Sequence, residues 1–386
     1  MQNLKGKKII ILSHIFTTVP AEDLKKYVLE QGSDELLYIG HPLLFVNGRP
    51  GSTFAWYRNK KLIKFIQYKN RDLPSTITYI CDFFISFFWI ARTGQKWDIM
   101  VALDNLNTIT GLSLKLFGRV NKVIYYTIDF VPQRFSNRLL NDFYHYLDKL
   151  SVAYADLTWN ISPRIAEGRE KVRGLQKKKY TKQMIVPIGI WNERIPKNTF
   201  TKINPHHLVY AGGLVPHQGV QIVIDTVPLV TKKIKDFQFL IIGIGAYEQE
   251  LRSKVKKLKI EKNVKFLGYK EKLEEVEAIL SKCGLAVAMY SPKDDIWSAY
   301  ADPSKIKTYL ACGLPVVTTN VTYFGKEIEK NECGVVIKYD AKILARTIIS
   351  IMNNTVQHKK MRENALKLAE KFNWNKIFSE GFERVL

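Results

Sequence analysis

The chain has 386 residues, long enough for two or three domains, and 46% of them are hydrophobic, enough to fill substantial cores. Lys and Arg number 59 against 36 Asp and Glu, a net charge of +23, which implies an acidic partner such as nucleic acid, anionic lipid or a phosphorylated small molecule. The basic residues are spread over many amphipathic segments with no nucleic-acid motif among them, so nucleic acid is set aside.

From the N-terminus, residues 1–8 lead directly into Ile9-Ile10-Ile11-Leu12, too short for the apolar core of a signal peptide and better suited to a first buried parallel strand. A cytoplasmic protein is expected. The four cysteines, Cys81, Cys283, Cys312 and Cys333, form no C-x-x-C pair and read as buried thiols, which favours neither zinc nor a disulfide framework. Short apolar runs then alternate with amphipathic stretches, the pattern of repeated βα units and parallel sheets. In the first half the expected strands are 8–12, 35–39, 99–103, 122–127, 157–160 and 183–187; in the second they are 207–211, 237–242, 264–266, 285–288, 316–319 and 334–337. Residues 189–205 have no periodicity and read as a linker. The fold class is therefore α/β, with two doubly wound parallel-sheet domains in tandem.

Residues 77–91 are intensely aromatic but shorter than the ~20 apolar residues a bilayer requires, and Asp82 interrupts them. They read either as a buried helix or as a helix with an aromatic face at the lipid interface. The preceding residues 56–71 mix cations with aromatics, which suits anionic headgroups and supports the interfacial reading.

Ligands of such sheets bind beyond the carboxyl ends of the strands. In the second half those places hold Gly212 and Gly213, Gly243 and Gly245, Gly268 and Tyr269, and Tyr290. Glycine lets backbone N–H groups approach phosphates, which favours a nucleotide diphosphate. The third glycine of a G-x-G-x-x-G dinucleotide fingerprint would fall at Glu248, so that fingerprint is not met. The most informative stretch is Asp302 to Val317. Pro303 suits a helix start and Gly313 a helix end, which places Ser304 and Lys305 in the first turn, where backbone N–H groups and a lysine favour an anion.

Four motifs in order then resemble the retaining glycosyltransferases of family 4, which have the two-Rossmann-domain architecture called GT-B. They are Tyr210-Ala211-Gly212-Gly213-Leu214 with Gly219-Val220; Leu240 to Gly245; Val264 to Tyr269; and Pro303-Ser304-Lys305 with Tyr309 to Val317. The resemblance covers residues 187–337 well, and residues 372–386 resemble the family's last helix, which crosses back onto the first domain. It implies an acceptor-binding domain at 1–188 and a nucleotide-sugar domain at 189–371, facing a cleft. The base would lie near Tyr269 and the diphosphate at the glycine loop and the Ser304-Lys305 helix start. Transfer would retain the anomeric configuration, with a UDP- or GDP-linked sugar as substrate and no metal. Positive groups and helix N–H donors would stabilise the leaving diphosphate.

Departures from the family narrow the candidate residues. The arginine and lysine of G-R-L-x-x-x-K-G are Gly213 and Gln218 here, and the paired glutamates fall at Tyr300 and Thr308. The chain thus looks like a P-S-K variant, in which Lys305 is the main phosphate cation and Asp302 a sugar contact. Gly212, Gly213, Gln218, Gly243, Tyr269, Tyr290, Tyr300, Ser304 and Thr308 complete the expected donor site. In the first half, His14 and Thr17 lie in the loop after the first strand, and His14 is a candidate to polarise an acceptor hydroxyl. Asp129 stands in the place of the family's H-D-x-x-P stretch as a candidate for binding acceptor hydroxyls, with Arg134 for an acceptor phosphate; Asp104 and Asn105 have similar standing.

The expected function is a hexosyltransferase that acts on a glycan or lipid-linked acceptor in cell-surface polysaccharide or glycolipid synthesis, peripheral on the inner face of the plasma membrane. The alternatives are a nucleotide-sugar epimerase of the same architecture and an inactive sugar-nucleotide-binding subunit.

Overall fold

A computed structural model describes residues 4–15, 20–42, 51–68, 73–176, 180, 182–292 and 296–386. Thr17 and residues 69–71 lie outside them. The chain divides into two units, Met1–Pro187 with Trp374–Leu386 and Ile188–Asn373, beside the expected divisions after residues 188 and 371.

The first unit is built on eight strands: β1 (Lys8–Ile15), β2 (Glu35–Pro42), β3 (Ser52–Arg58), β4 (Lys61–Tyr68), β5 (Trp97–Leu103), β6 (Val120–Thr127), β7 (Leu157–Asn160) and β8 (Gln183–Ile185). Their order in the sheet is β4-β3-β2-β1-β5-β6-β7-β8. Helices α1 (Pro20–Glu30), α2 (Ser75–Arg92), α3 (Asn105–Leu116), α4 (Arg138–Tyr154) and α5 (Pro163–Arg173) connect the parallel strands. The strand order reverses between β1 and β5, so the ends of these two strands form the switch point where ligands of such sheets bind.

Two features of this unit go beyond the sequence reading. Residues 52–68 form an antiparallel hairpin, β3–β4, at the sheet edge, where only a basic aromatic stretch was expected. Its turn residues Asn59 and Lys60 have φ of 48° and 66°, the backbone of a two-residue hairpin turn. Helix α2 is not simply buried. Its inward face carries the polar Thr78, Asp82 and Ser86, while Ile77, Ile80, Phe84 and Phe88 lie exposed along the opposite face at helical spacing. Polar groups inside a helix need partners, and Asp82 and Ser86 find theirs in the histidines of β1 and β2. Among the described residues, no helix is long and apolar enough to cross a membrane.

The second unit holds six parallel strands, β9 (Asn204–Ala211), β10 (Gln238–Ile242), β11 (Val264–Gly268), β12 (Cys283–Ala288), β13 (Val316–Thr319) and β14 (Gly334–Ile337), in the order β11-β10-β9-β12-β13-β14. Helices α6 (Val220–Thr231), α7 (Glu248–Lys257), α8 (Leu273–Leu280), α9 (Ile296–Tyr300), α10 (Ser304–Ala311), α11 (Gly325–Lys330), α12 (Ala341–Asn353) and α13 (Thr355–Ala369) cover the sheet. This is the Rossmann order, with its switch point between β9 and β12. The near-continuous Val/Ile/Leu strands are buried on both faces, which is why they read as apolar runs.

Residues 189–205 are not a linker. Ile190, Trp191, Ile195 and Ile203 are buried, Ile190 bridges to Asn373, and the Arg194 guanidinium donates to both carboxylate oxygens of Glu277. The segment lacks periodicity because it wraps the unit's surface in two 3-10 turns, at Asn192–Arg194 and Phe200–Lys202, with no continuous face. The closing helix α14 (Trp374–Glu383) belongs to the first unit, where Phe378 and Phe382 meet Tyr27 of α1, and Phe382 also meets Trp159 of β7. All four cysteines are free thiols.

Candidate active site

In the second unit the loops after β9, β10 and β11 are strapped together through their backbones. Gly212 donates to Ile242 O at 3.0 Å, Leu214 to Ile244 O at 3.0 Å, and Gly243 to Gly268 O at 2.9 Å. Glycine is needed in this strapping. A Cβ at Gly243, where φ is 129°, would lie 2.0 Å from Gly212 O, and one at Gly212 would lie 2.9 Å from the Lys305 ammonium. Tyr309 of α10 fixes that helix to the end of β9, since Ala211 N donates to its hydroxyl at 2.7 Å and the hydroxyl donates to Ala211 O at 3.1 Å.

The first turn of α10 thereby carries Lys305 over the glycine loop. Its ammonium donates to Gln218 Oε1 and to the Tyr210 hydroxyl at 3.3 Å, and lies 4.6 Å from the Tyr210 ring centre and 5.4 Å from that of Tyr290. Gly212, Gln218, Tyr290 and Lys305, far apart in sequence, are thus brought together. Gly213 faces open space, with nothing within 4 Å of where a Cβ would stand. Tyr269 is exposed after β11, Ser304 is exposed at the start of α10, Tyr300 is partly exposed on α9, and the Thr308 hydroxyl turns back to Ser304 O at 3.2 Å.

Two expectations change here. The first-turn N–H groups of Ser304, Ile306 and Lys307 are already bonded to Asp302 O or Pro303 O, so the positive charge at this helix start resides chiefly in the Lys305 side chain. Asp302 is not a sugar contact in this structure. Its carboxylate is buried and accepts from Lys307 Nζ, Ile188 N and, at 2.8 Å, the Tyr323 hydroxyl. The Lys307 ammonium also donates to Ile188 O at 2.7 Å and lies 4.5 Å from the Phe372 ring centre. Burial pulls the Lys307 pKa down while Asp302 opposes the shift. The pair clamps the start of this unit to α10, a structural task.

In the first unit, His14 at the end of β1 lies between two carboxylates, with Nδ1 3.1 Å from Asp104 Oδ2 and Nε2 3.3 Å from Asp82 Oδ2. Burial by itself would lower the His14 pKa, but hydrogen bonds and charge attraction from Asp104 and Asp82 raise it to about 9, so the ring is cationic at neutral pH. His41 lies on the other side of Asp82, with Nδ1 3.3 Å from Asp82 Oδ1, and burial pushes its pKa down to about 4. His41 is therefore neutral, held by the hydroxyls of Ser52 and Ser86 at 2.9 and 2.7 Å.

A cationic His14 engaged at both nitrogens is not an acceptor-activating base. It bridges Asp82 and Asp104 and fixes the orientation of Asp104, which caps α3 through Asn107 N at 3.0 Å in a backbone with φ of 78°. Asp104, Asn105, His14 and Arg134 share the lining of one cavity of about 330 Å³, together with Tyr79 and Tyr144. Asp129 holds Arg134 by an ion pair at 2.7 Å, and the guanidinium lies 5.1 Å from the Tyr144 ring centre. Asn105 donates to Tyr144 O at 2.9 Å, and its buried Oδ1 has no partner among the described residues. Sequence reasoning missed Asp82, His41, Asn107, Tyr79 and Tyr144. Of these, only Asp82 carried a signal, a charge inside an apolar helix.

Residues 192–368 match the family described as glycosyl transferases group 1. Similar curated proteins include an uncharacterized glycosyltransferase of Methanocaldococcus jannaschii, 27% identical over 44% of this chain and 44% of that protein. Another, of Haemophilus influenzae, is 22% identical over 55% of this chain and 58% of that protein. A phosphatidyl-myo-inositol mannosyltransferase of Mycobacterium leprae is 24% identical over 43% and 42%. The chain thus spans about half the length of the curated relatives it matches. Among solved structures, Anabaena HepE in complex with UDP superposes with a TM-score of 0.68 at 15% identity, over 98% of this chain and 99% of that one. WaaG, a glycosyltransferase involved in lipopolysaccharide biosynthesis, gives 0.68 at 12% identity over the same shares. The chain therefore has the GT-B fold, and its second unit carries the match to group 1 glycosyl transferases.

Proposed function

We propose that the chain is a retaining, metal-independent glycosyltransferase that moves a sugar from a nucleotide-diphosphate donor on the second unit to a glycan or lipid-linked acceptor on the first. The observation that carries this reading is Lys305, held over the glycine loop by Gln218 and Tyr210 where a diphosphate would be received. In the reaction the bond between the sugar C1 and the β-phosphate oxygen breaks and a bond to the acceptor oxygen forms. The hydroxyl proton leaves with the diphosphate. Lys305 stabilises the negative charge that grows on the leaving group, an interaction stronger in the transition state than in the bound donor. Asp104 and Asp129 accept hydrogen bonds from acceptor hydroxyls, and Arg134 offers a guanidinium to an acceptor phosphate.

The net charge of +23 and the exposed apolar face of α2 support work at the cytoplasmic surface of an anionic membrane. The similar phosphatidyl-myo-inositol mannosyltransferase supports a lipid-linked acceptor, and the UDP complex of HepE supports a nucleotide-sugar donor. The test is turnover. Incubation with UDP- and GDP-hexoses and a bacterial lipid extract releases nucleoside diphosphate and places labelled sugar in the lipid fraction. Interconversion of the free nucleotide sugar without transfer would identify an epimerase instead, and no turnover with any donor would support the inactive-subunit alternative.

A further inference from the structure

The cavity lined by His14, Asp104, Asn105 and Arg134 is otherwise mostly apolar. Ile80 and Phe83 of α2, Ile109 of α3, and Leu140, Phe143 and Leu147 of α4 line it. Its volume of about 330 Å³ lies in the range of small-ligand sites. Two of these residues are also surface residues: Ile80 is 54% exposed and Phe143 56%. The apolar wall therefore continues out of the molecule onto the outward stripe of α2, where Ile77, Phe84 and Phe88 are exposed, and onto α4, where Leu139 is 81% exposed. A cavity whose apolar wall reaches an exposed apolar face, and which also holds the Asp104 carboxylate and the Arg134 guanidinium, has the polarity of a site for an amphiphile.

We infer that the acceptor carries a hydrocarbon chain, that this chain lies in the cavity between α2, α3 and α4, and that its polar head is presented at Asp104 and Arg134. The inference rests on the reading of the first unit as the acceptor domain and narrows it from a glycan or lipid-linked acceptor to an amphiphilic one. A purely polysaccharide acceptor would leave this wall facing water. The inverted amphipathicity of α2 is then accounted for on both faces: the polar face holds His14 through Asp82, and the apolar face receives the lipid.

The test is calorimetry with decyl glucoside and decyl phosphate, each below its critical micelle concentration, beside glucose and inorganic phosphate. The proteins are wild type, Ile109→Trp, which fills the cavity, and the Ile80→Glu/Phe143→Glu pair, which charges its mouth at positions too exposed to decide folding. Burial of four or more methylenes is worth about 100-fold in affinity, so the decyl compounds are expected to bind at least that much more tightly than their head groups. Ile109→Trp and the charged pair are each expected to weaken decyl binding tenfold or more. Nucleotide diphosphates, which bind the second unit, are measured on the same samples and are expected to bind all three proteins alike. Equal affinity for decyl compounds and bare head groups would overturn the inference. Decyl binding lowered by the mouth variant but untouched by Ile109→Trp would also do so, because the chain would then lie only on the outer surface. Decyl binding that behaves as expected in protein that binds no nucleotide would leave the cavity's occupant standing and refute the donor reading instead.

Discussion

Asp82 Oδ2 lies 3.3 Å from His14 Nε2 across 68 residues of sequence, and the same carboxylate's other oxygen lies 3.3 Å from His41. One buried aspartate thus meets a cationic imidazole on one side and a neutral one on the other, and the charge of His14 is shared between Asp82 and Asp104.

This arrangement fixes the sign of a pH effect. The His14 pKa is raised on folding from 6.5 to about 9, so the stabilisation is fully present below pH 6.5 and is lost as the pH rises through 9. A shift of this size corresponds to about 3 kcal/mol. Unfolding free energies of wild type and His14→Gln from urea titration are expected to differ by roughly that amount at pH 6 and to converge near pH 10.

The buried pair of Asp302 and Lys307 predicts loss of stability where a sugar contact would predict loss of turnover alone. Removing one member of a buried ion pair typically costs about 3–5 kcal/mol. Asp302→Ala is expected to lower the unfolding free energy of the second unit, read by urea titration, by that order. Lys305→Ala, at a partly exposed position, is expected to move it by about 0.5 kcal/mol or less.

Gly213 stands where the resemblance to family 4 implies an arginine, and a Cβ there would meet nothing within 4 Å. Gly213→Arg is therefore expected to fold normally and to tighten binding of a nucleoside diphosphate by about tenfold, the value of one charge-assisted hydrogen bond. Titration calorimetry checks it, and unchanged affinity would mean that the diphosphate does not lie over this loop.

The exposed stripe of α2 predicts membrane binding that combines charge and apolar contact. Wild-type protein is expected to float with anionic vesicles at low salt and to be largely released at 1 M salt, where charge attraction is screened within about 3 Å. Phe84→Glu/Phe88→Glu is expected to remain in the soluble fraction at low salt.

Much of the fold was legible because its strands are buried on both faces. Leu157–Asn160, Val316–Thr319 and Gly334–Ile337 form strands over the ranges their apolar runs mark. The β3–β4 hairpin escaped because Lys61, Lys64 and the aromatics around them read as a surface for headgroups, although Asn59 between two β-prone runs was the available turn signal. In the second unit, the glycines and Lys305 were legible as neighbours because each follows a strand or starts a helix, and topology gathers strand ends. The roles of Asp302 and Asp82 were not legible. Asp302 is turned inward by Lys307, Tyr323 and Ile188, and Asp82 by two histidines from other strands, contacts that no local spacing encodes.

Lys305 is proposed to receive the donor diphosphate. Calorimetric titration of UDP, GDP, ADP and their sugar conjugates into wild type and Lys305→Ala, in EDTA, tests it directly. One nucleotide is expected to bind wild type without added metal, and Lys305→Ala is expected to weaken it at least tenfold with the fold intact. Equal affinity of the two proteins, or binding that vanishes in EDTA, would contradict it.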